Sequence, residues 1–322
     1  MLLDGADPTA IGRAAALLAA SELLGFPTET VYGLGARADD DAAVAKIFAA
    51  KGRPADHPLI VHVSGREQVD VFASAVAPVA ERLMAAFWPG PLTIIVPRVA
   101  GVGRAAAGGQ PTIGLRCPSH PVARALLEAS ARLGVAGVAG PSANRFGRIS
   151  PTTAAHVVEE FGDSLAVLDG GACEVGIESS IVDCSRGWPV LLRPGVLTVA
   201  QIEAAAGEPL RAPDARAPRA SGTLESHYAP RATLRLLSAE AMHTALQSPG
   251  GPPEGLAVYS RTPAPQVVHR RMPALPDRAA HELFSVLREL DAEGVQLIWV
   301  EEPPPGPEWD GVRDRLQRAS AP

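Results

Sequence analysis

The sequence predicts an α/β protein made of a twisted mixed sheet covered by helices and a smaller C-terminal α/β (Rossmann-like) domain. Short apolar runs alternate with segments of helical periodicity along most of the chain, which is typical of a sheet covered by helices. Residues 166–192 carry three short strands over short connections, which favours a mixed sheet over a purely parallel one. The length of 322 residues allows two hydrophobic cores.

Helices are predicted where a capping residue precedes apolar residues that recur with helical spacing. Asp7-Pro8 is such a start, and Gly52 followed by Pro54 is a typical helix end. In the first part of the chain the predicted helices cover residues 7–20, 39–51, 78–87, 121–133, 152–161 and 198–206. Near the C-terminus, one helix begins at Ala239 and another covers about residues 277–292.

Strands are predicted for short apolar runs that end at glycine, proline or polar residues. They cover residues 23–26, 59–63, 92–96, 112–115, 135–139, 166–168, 180–182 and 190–192, and later 233–237, 256–259 and 295–300. Residues 28–35 are predicted to form a polar loop with two glycines, and residues 101–110 a mobile surface loop.

Composition divides the chain into three parts. Residues 1–207 carry most of the predicted elements and form the first domain. Residues 208–231 contain four prolines and little hydrophobic periodicity, so we predict a linker there. Residues 232–322 repeat the β–α pattern and are predicted to form the smaller second domain.

Bulk composition argues against several classes of protein. The net charge of −6 argues against a large direct nucleic-acid surface, which would need a basic excess. Cys117, Cys173 and Cys184 lack the spacing of a metal site or a disulfide framework, so we expect no metal ligands and a reducing compartment. The N-terminus has no basic region before an apolar run, and no run of about 18 apolar residues occurs. We therefore expect a cytoplasmic protein that makes no membrane contact.

Lys51-Gly52-Arg53 stands at the end of a predicted helix and has two interpretations. Cations at a helix C-terminus complement the helix dipole. Alternatively, the two side chains form a phosphate clamp, which at this end of a helix needs side-chain cations and not backbone amides. Lys46 and Lys51 are the only lysines in a chain rich in arginine. A lysine before Gly-Arg-Pro is therefore unusual here, but spacing alone leaves both interpretations open.

Polar residues with possible chemical roles follow several predicted strands, where α/β enzymes place their sites. These residues are Thr28, His62, Arg116, Ser142, Asn144, the Gly176–Ser180 segment and Arg193. Each of them alone also has an ordinary structural interpretation as a core, surface or turn residue. No G-x-S-x-G elbow, P-loop or G-x-G-x-x-G fingerprint occurs, so a serine hydrolase and the common nucleotide folds are poorly supported.

Together these pieces resemble the YrdC-type threonylcarbamoyl-AMP synthases. The resemblance rests on P-T-E-T-V-Y-G-L-G from Pro27, K-G-R-P-x-x-x-P-L-I-V-H from Lys51, W-P-G-P-L-T from Trp88, L-R-C-P from Leu115, P-S-A-N from Pro141, E-S-S-I from Glu178 and L-R-P-G from Leu192. The blocks occur in the family's order over about residues 8–207. His227-Tyr228-Ala229-Pro230 before a small α/β domain resembles the longer, two-domain branch of the family. Departures are E-S-S-I in place of E-S-T-I, His57 in place of an asparagine, and an atypical linker.

The resemblance implies a YrdC-like fold for residues 1–207 and an enzyme that makes threonylcarbamoyl-AMP and pyrophosphate from L-threonine, bicarbonate and ATP. Other proteins would then transfer the threonylcarbamoyl group to an adenosine of tRNA. It implies that Lys51, Arg53 and Arg193 bind the phosphates together with Mg²⁺, and that Lys51 and Arg53 act in catalysis. Thr112, Ser142, Asn144 and Tyr228 would contact ATP, and Thr28, His62, Arg116 and Ser179 would hold threonine.

Two other functions are compatible with the same cations. The first is an RNA-binding protein in which basic residues line a concave cleft, although the interleaved aromatic residues of RNA readers are missing. The second is a related carbamoyl-transfer enzyme, which usually carries extra modules that this sequence lacks. We also expect Lys51 to cap an exposed helix end. If capping is its only role, the phosphate-clamp interpretation of Lys51-Gly52-Arg53 is wrong.

Overall fold

The computed structural model describes residues 1–321, within which ten α-helices cover two β-sheets. The strands are β1 (Leu2–Asp4), β2 (Leu24–Phe26), β3 (Gly33–Arg37), β4 (Ile60–His62), β5 (Leu92–Pro97), β6 (Thr112–Arg116), β7 (Val138–Ala139), β8 (Ala166–Asp169), β9 (Ser180–Asp183), β10 (Val190–Arg193), β11 (Thr233–Leu237), β12 (Leu256–Ser260), β13 (Val268–Arg271) and β14 (Leu297–Glu301). The helices are α1 (Pro8–Ala19), α2 (Asp41–Lys51), α3 (Arg66–Phe72), α4 (Pro78–Phe87), α5 (Pro121–Arg132), α6 (Ala154–Phe161), α7 (Val199–Ala206), α8 (Ala239–Leu246), α9 (Pro276–Ala292) and α10 (Asp310–Ser320). None of these helices is long and apolar enough to cross a membrane.

The first sheet contains β1 to β10 in the order β1-β8-β2-β3-β7-β4-β6-β5-β9-β10. Parallel pairs such as β4 with β6 and β5 with β9 alternate with antiparallel pairs such as β2 with β3 and β5 with β6. The predicted mixed sheet is therefore confirmed. Because the order mixes early and late strands, residues far apart in sequence meet on one face of this sheet.

Capping residues set the helix boundaries close to those predicted. The Asp40 side chain accepts from the amides of Ala42 and Ala43 at the start of α2, and Gly52 ends that helix in the left-handed conformation at φ 64°. Thr198 and Gln201 form a reciprocal capping box on α7. These caps explain why the helix starts could be predicted from sequence.

The structure differs from the predicted elements at two loops. Residues 28–35 were expected to form one loop, but β3 begins at Gly33 and pairs with β2. A Cβ atom at Gly33 would lie 2.7 Å from the Phe26 ring, so glycine is required for this close approach rather than for a turn. The loop at 101–110 is also less free than expected, because Ala106 and Ala107 are fully buried. In addition, β1, α3, β13 and α10 were not predicted.

The second sheet is wholly parallel, in the order β11-β14-β12-β13. We call residues 1–207 the first unit and residues 232–321, which carry the second sheet, the C-terminal unit. The hydrophobic cores of the two units are continuous, because Val31, Ile149 and Ile177 belong to the same hydrophobic cluster as residues of α9 and α10. The segment between the sheets packs along the first one. The backbone of Arg219 pairs with the side-chain amide of Gln110 at 2.8 and 3.1 Å, and the Ala229 amide donates to Gly147 O at 2.9 Å. Residues 208–231 therefore lie against the first unit.

Candidate functional site

A cleft with about 470 Å³ of empty space opens on the first sheet beneath the segment between the two sheets. Its walls come from the residues that follow β2 and β7, from the ends of β4, β6 and β10, and from the turn before β9. The predicted site residues that line it are Thr28, Arg53, His62, Arg116, Ser142, Ser179, Arg193 and Tyr228. The sheet thus brings together residues that are distant in the sequence.

One end of the cleft is polar and rigidly bonded. Thr28 Oγ1 lies 2.9 Å from Thr30 Oγ1 and donates to Val31 O at 2.7 Å. Arg116 donates to Thr30 Oγ1 at 2.7 Å and forms a buried ion pair with Glu29 at 2.7 Å. The guanidinium of Arg116 is therefore held in one orientation, and part of its charge is already balanced by the protein.

His62 lies on the same side and is neutral. Burial, followed by the charge of Arg116, lowers the pKa of His62 to about 3. Its Nδ1 atom is buried and has no hydrogen-bond partner among residues 1–321. A neutral imidazole with a free ring nitrogen can exchange a hydrogen bond with a small polar ligand without adding charge.

Ser179 joins this polar end to the cationic part of the cleft. Its hydroxyl lies 2.8 Å from Thr93 Oγ1, and its carbonyl accepts from Arg193 Nε and Nη2 at 3.1 and 2.9 Å. Arg193 Nη1 also donates to Ser221 O at 2.9 Å. The arginine therefore ties the turn before β9 to the segment that covers the cleft.

The other end of the cleft has an excess of positive charge. Arg53 and Arg193 are 7% and 2% exposed, and neither has a carboxylate partner among the described residues. Burial lowers the pKa of Arg53 to about 10, with Tyr228 opposing this shift and Arg193 adding to it, and burial likewise lowers the pKa of Arg193. Buried cations without counter-ions are costly unless a ligand provides the negative charge. The arrangement is suited to a polyphosphate.

Comparison with known proteins shows the family. The Sua5_yciO_yrdC model, described as "Telomere recombination", matches residues 16–195, and the model described as "Threonylcarbamoyl-AMP synthase, C-terminal domain" matches residues 197–321. The threonylcarbamoyl-AMP synthase of Pyrococcus abyssi is 38% identical over 95% of this chain and 93% of its own length. The threonylcarbamoyl-AMP synthase of Bacillus subtilis is 37% identical over 98% of this chain and 93% of its own length. The chain belongs to the threonylcarbamoyl-AMP synthase family.

Solved structures agree with this assignment. The crystal structure of P. abyssi Sua5 complexed with L-threonine superposes with a TM-score of 0.89 at 35% identity, covering 99% of this chain and 97% of that one. The predicted family, fold class and type of enzyme are therefore confirmed. The comparisons support the synthase and not the RNA-binding or carbamoyl-transfer alternatives.

Two of the predicted residues of this family member lie behind the cleft wall. The expectation that Lys51 might cap an exposed helix end is wrong, since the residue is 3% exposed. Its ammonium donates to Ser142 O at 2.5 Å and to Asn144 O. The Asn144 amide donates to Arg145 O and Arg148 O at 2.7 and 2.8 Å. Both side chains therefore hold the Pro141–Asn144 turn in place. An ammonium has three donors, and these two bonds use two of them.

Thr112 lines an adjoining recess rather than the main cleft. The recess has a floor of sheet residues that includes Ile60, Thr93 and Gly114, and it shares Ile60 and Ser221 with the main cleft. A ligand longer than the main cleft could extend into this recess. Thr112 therefore lies in a space that adjoins the one lined by the other predicted residues.

Sequence reasoning missed several residues of the cleft. Glu178 was part of a recognised block but received no role, and Thr30, Ser221, Gly222 and His227 were not proposed as ligand contacts. Glu178 and His227 could have been predicted as cleft residues, because each stands beside a predicted site residue in a recognised motif, Ser179 in E-S-S-I and Tyr228 in His227-Tyr228-Ala229-Pro230. For Ser221-Gly222 the signal was absent, because the linker departs there from the pattern typical of the family.

Proposed function

We propose that this protein condenses L-threonine, bicarbonate and ATP into threonylcarbamoyl-AMP and pyrophosphate. The observation that carries the proposal is one cleft with a neutral polar end, built from Thr28, His62 and Ser179, next to a cationic end without counter-ions. A small polar amino acid and a polyphosphate are the ligands that these two ends favour. Their shared wall would bring a carbamate and the α-phosphate together.

In the proposed reaction the free amine of threonine bonds to the carbon of bicarbonate, and an amine proton leaves with the bicarbonate hydroxyl as water, which gives a carbamate. A carbamate oxygen then bonds to the α-phosphorus while the bond to pyrophosphate breaks. Arg53, Arg193 and the third donor of Lys51 would stabilise the charge on the phosphates, as fixed donors do in other phosphoryl-transfer sites. No nucleophile from the protein takes part. Catalysis would come from positioning and electrostatics.

We propose that Thr28, His62, Arg116 and Ser179 hold threonine and that Ser142, Asn144, Thr112 and Tyr228 surround the nucleotide. Mg²⁺ would arrive with the phosphates. Within residues 1–321 no group of three or more metal-ligating side chains occurs, and the cleft carboxylate Glu178 is engaged by Ser150 and Arg315. Such a site fits a magnesium ion that is held by substrate oxygens and water rather than by a protein cage.

The segment that carries Ser221, Gly222, His227 and Tyr228 would act as a lid over the reacting groups. Tyr228 is buried, adopts φ 65°, and its hydroxyl lacks a partner in the described chain. At Gly222 a Cβ atom would lie 2.4 Å from that hydroxyl and 2.8 Å from Arg193, so the lid fits closely. A closed lid excludes water from the carbamate. Limited proteolysis should cut this segment more slowly with ATP and threonine, and equal rates would contradict the lid.

We propose that the product is passed to proteins that modify tRNA and that the enzyme works in the cytoplasm. The test of the reaction is pyrophosphate release by the full-length protein, with product identification by mass spectrometry. Release should require threonine, bicarbonate and ATP together, and should fall to background when any one is omitted. Equal release without threonine would contradict the proposal.

A further inference from the structure

Arg315 of α10 is a fully buried arginine of the C-terminal unit whose bonds reach the first unit. Its Nε donates to Glu178 Oε2 at 2.7 Å, its Nη2 to Glu178 O at 3.1 Å and its Nη1 to Pro194 O at 3.0 Å. Its one bond within its own unit is to Asp314 at 2.7 Å. The side chain is 0% exposed and does not line the cleft. Arg315 therefore acts on the cleft only through the residues it holds.

Arg193 and Arg315 donate hydrogen bonds to successive backbone carbonyls of the turn before β9. Arg193 binds Ser179 O, and Arg315 binds Glu178 O together with the Glu178 carboxylate. Ser150 donates to the other Glu178 oxygen at 2.5 Å. Burial alone would raise the pKa of Glu178, but Arg315 and Arg193 outweigh it and the pKa is lowered. The carboxylate is thus charged and fixed, and so is the turn that carries Ser179.

Arg315 also contacts the lid. Its guanidinium lies 5.3 Å from the centre of the Tyr228 ring, a distance typical of a cation–π contact. A second neighbour of that ring is Phe284 of α9, at 5.4 Å and stacked. Tyr228 therefore contacts two side chains of the C-terminal unit, in a backbone conformation that non-glycine residues seldom adopt.

We propose that Arg315 is a positioning residue and that the C-terminal unit completes the cleft through it. The inference rests on the proposed function. Apolar contacts already join the two units, so an ion pair is not needed to hold them together, and a buried ion pair is in itself weak evidence for stability. Arg315 orients two parts of the cleft lining, because it bonds the turn that carries Ser179 and contacts the Tyr228 ring.

The test is Arg315→Lys in the full-length protein, because lysine keeps the charge but lacks the planar fork whose separate nitrogens reach Glu178, Pro194 and Asp314. We expect turnover per folded molecule to fall by roughly 10²-fold and the KM for threonine to rise, since small misplacements of positioned groups have effects of this size. Arg313→Lys is the matched control, because Arg313 lies on the same helix and bonds only within its own unit, to Asp310, Pro304 and Gly306. The control should keep wild-type kcat and KM.

A purely structural role would lower the melting temperature of Arg315→Lys but leave kcat and KM of the folded molecules unchanged, and that result would overturn the inference. If Arg315→Lys does not fold, Asp314→Asn decides the question, because it weakens one bond of Arg315 and leaves the pair with Glu178 intact. Asp314 also bonds Arg318, so Arg318→Lys is measured beside it as the control for that second pair. A loss of turnover of about threefold or more would support the inference, and unchanged kinetics would overturn it.

Failure of the proposed function can be told apart from failure of this inference. If the wild-type protein makes no threonylcarbamoyl-AMP, the proposed function fails. The effect of Arg315 can then still be read from calorimetric binding of L-threonine, which should weaken at least about tenfold in Arg315→Lys and not in Arg313→Lys. Equal threonine binding by both variants would overturn the positioning role.

Discussion

Buried polar groups are paired differently at the cleft and in the second sheet. At the cleft, Arg53 Nε, His62 Nδ1 and the Tyr228 hydroxyl lack partners among the described residues. In the second sheet, Arg261 Nε and Trp299 Nε1 also lack partners, but the oxygens at the ends of β12 and β14 are bonded: Ser260 donates to Thr262 O at 2.5 Å, and Glu301 accepts from Arg261 and the Thr262 amide at 2.5 and 2.7 Å. Unpaired buried groups are costly, whereas paired ones brace a loop. The unpaired groups at the cleft indicate a place for a polar ligand, whereas the bonded oxygens of the second sheet indicate a structural role.

The largest expected effect concerns the choice of substrate at the polar end of the cleft. A site that bonds a hydroxyl leaves its own groups unpaired when an isostere without that hydroxyl binds. We expect kcat/KM for valine to lie roughly 10²- to 10⁴-fold below that for threonine. Pyrophosphate release at matched concentrations measures this ratio. Comparable rates with the two amino acids would show that Thr28, His62 and Ser179 are not a hydroxyl pocket.

Lys51 should give the next largest effect. Lys51→Met would remove the proposed donor to the phosphates and loosen the Pro141–Asn144 turn, so turnover should fall by roughly 10²- to 10³-fold. Stability should fall as well, because the buried carbonyls of Ser142 and Asn144 lose their donor. Lys46→Met is the matched control, a lysine of the same helix that bonds Ser21 and Glu22 at the surface. Near-normal turnover of Lys51→Met would reduce Lys51 to a structural role.

A smaller effect should appear in the pH dependence of ATP binding. Burial first, and then the charge of Arg53, hold the pKa of Lys51 well below its ordinary value. Bound phosphates favour the charged form, so they raise that pKa. Below the pKa of the free protein Lys51 is charged in both states and binding takes up no proton. Above it, binding takes up a proton, and affinity falls by at most about tenfold per pH unit.

Proton uptake can be measured by calorimetry in two buffers with different ionisation enthalpies, at about pH 8 or above, where the nucleotide phosphates are already deprotonated. We expect a net uptake that approaches one proton as the pH rises, and no comparable uptake by Lys51→Met. An uptake that is the same in both proteins would assign the proton to another group.

Much of the fold and of the cleft could be predicted from sequence because the information is local. Caps such as Asp40 and Thr198 act within one turn, and the strand ends identified the loops that carry Thr28, His62, Arg116 and Arg193. The family resemblance supplied the roles of these residues, which stay predictions.

The parts that could not be predicted depend on distant contacts. Lys51 is buried by carbonyls that are 91 and 93 residues away in the sequence, and β3 exists because glycines admit the Phe26 ring. Nothing in the charge pattern of α10 distinguishes Arg315 from Arg313. Only the packing of the two units places Arg315 beside Glu178.

The comparison of the two sheets is tested most directly by one substitution made twice. Glu178 and Glu301 are both buried, both bond an arginine, and both accept from a second donor. Glu→Gln keeps the shape and one acceptor but removes the charge. The loss of stability should be about 3–5 kcal/mol at Glu178, whose partner Arg315 is fully buried, and about 1–2 kcal/mol at Glu301, whose partner Arg261 is partly exposed. Urea unfolding of the two variants measures that loss.

The activities should differ, because Glu178 lines the cleft and Glu301 does not. Glu301→Gln should therefore keep turnover within about twofold of wild type, as expected of a position outside the site. Glu178→Gln should lower turnover severalfold more than its stability loss explains, because the Ser179 turn and the grip of Arg315 both depend on that carboxylate. Equal turnover in the two variants would mean that the buried carboxylate at the cleft has no role in the reaction beyond the structural role of the buried carboxylate in the second sheet.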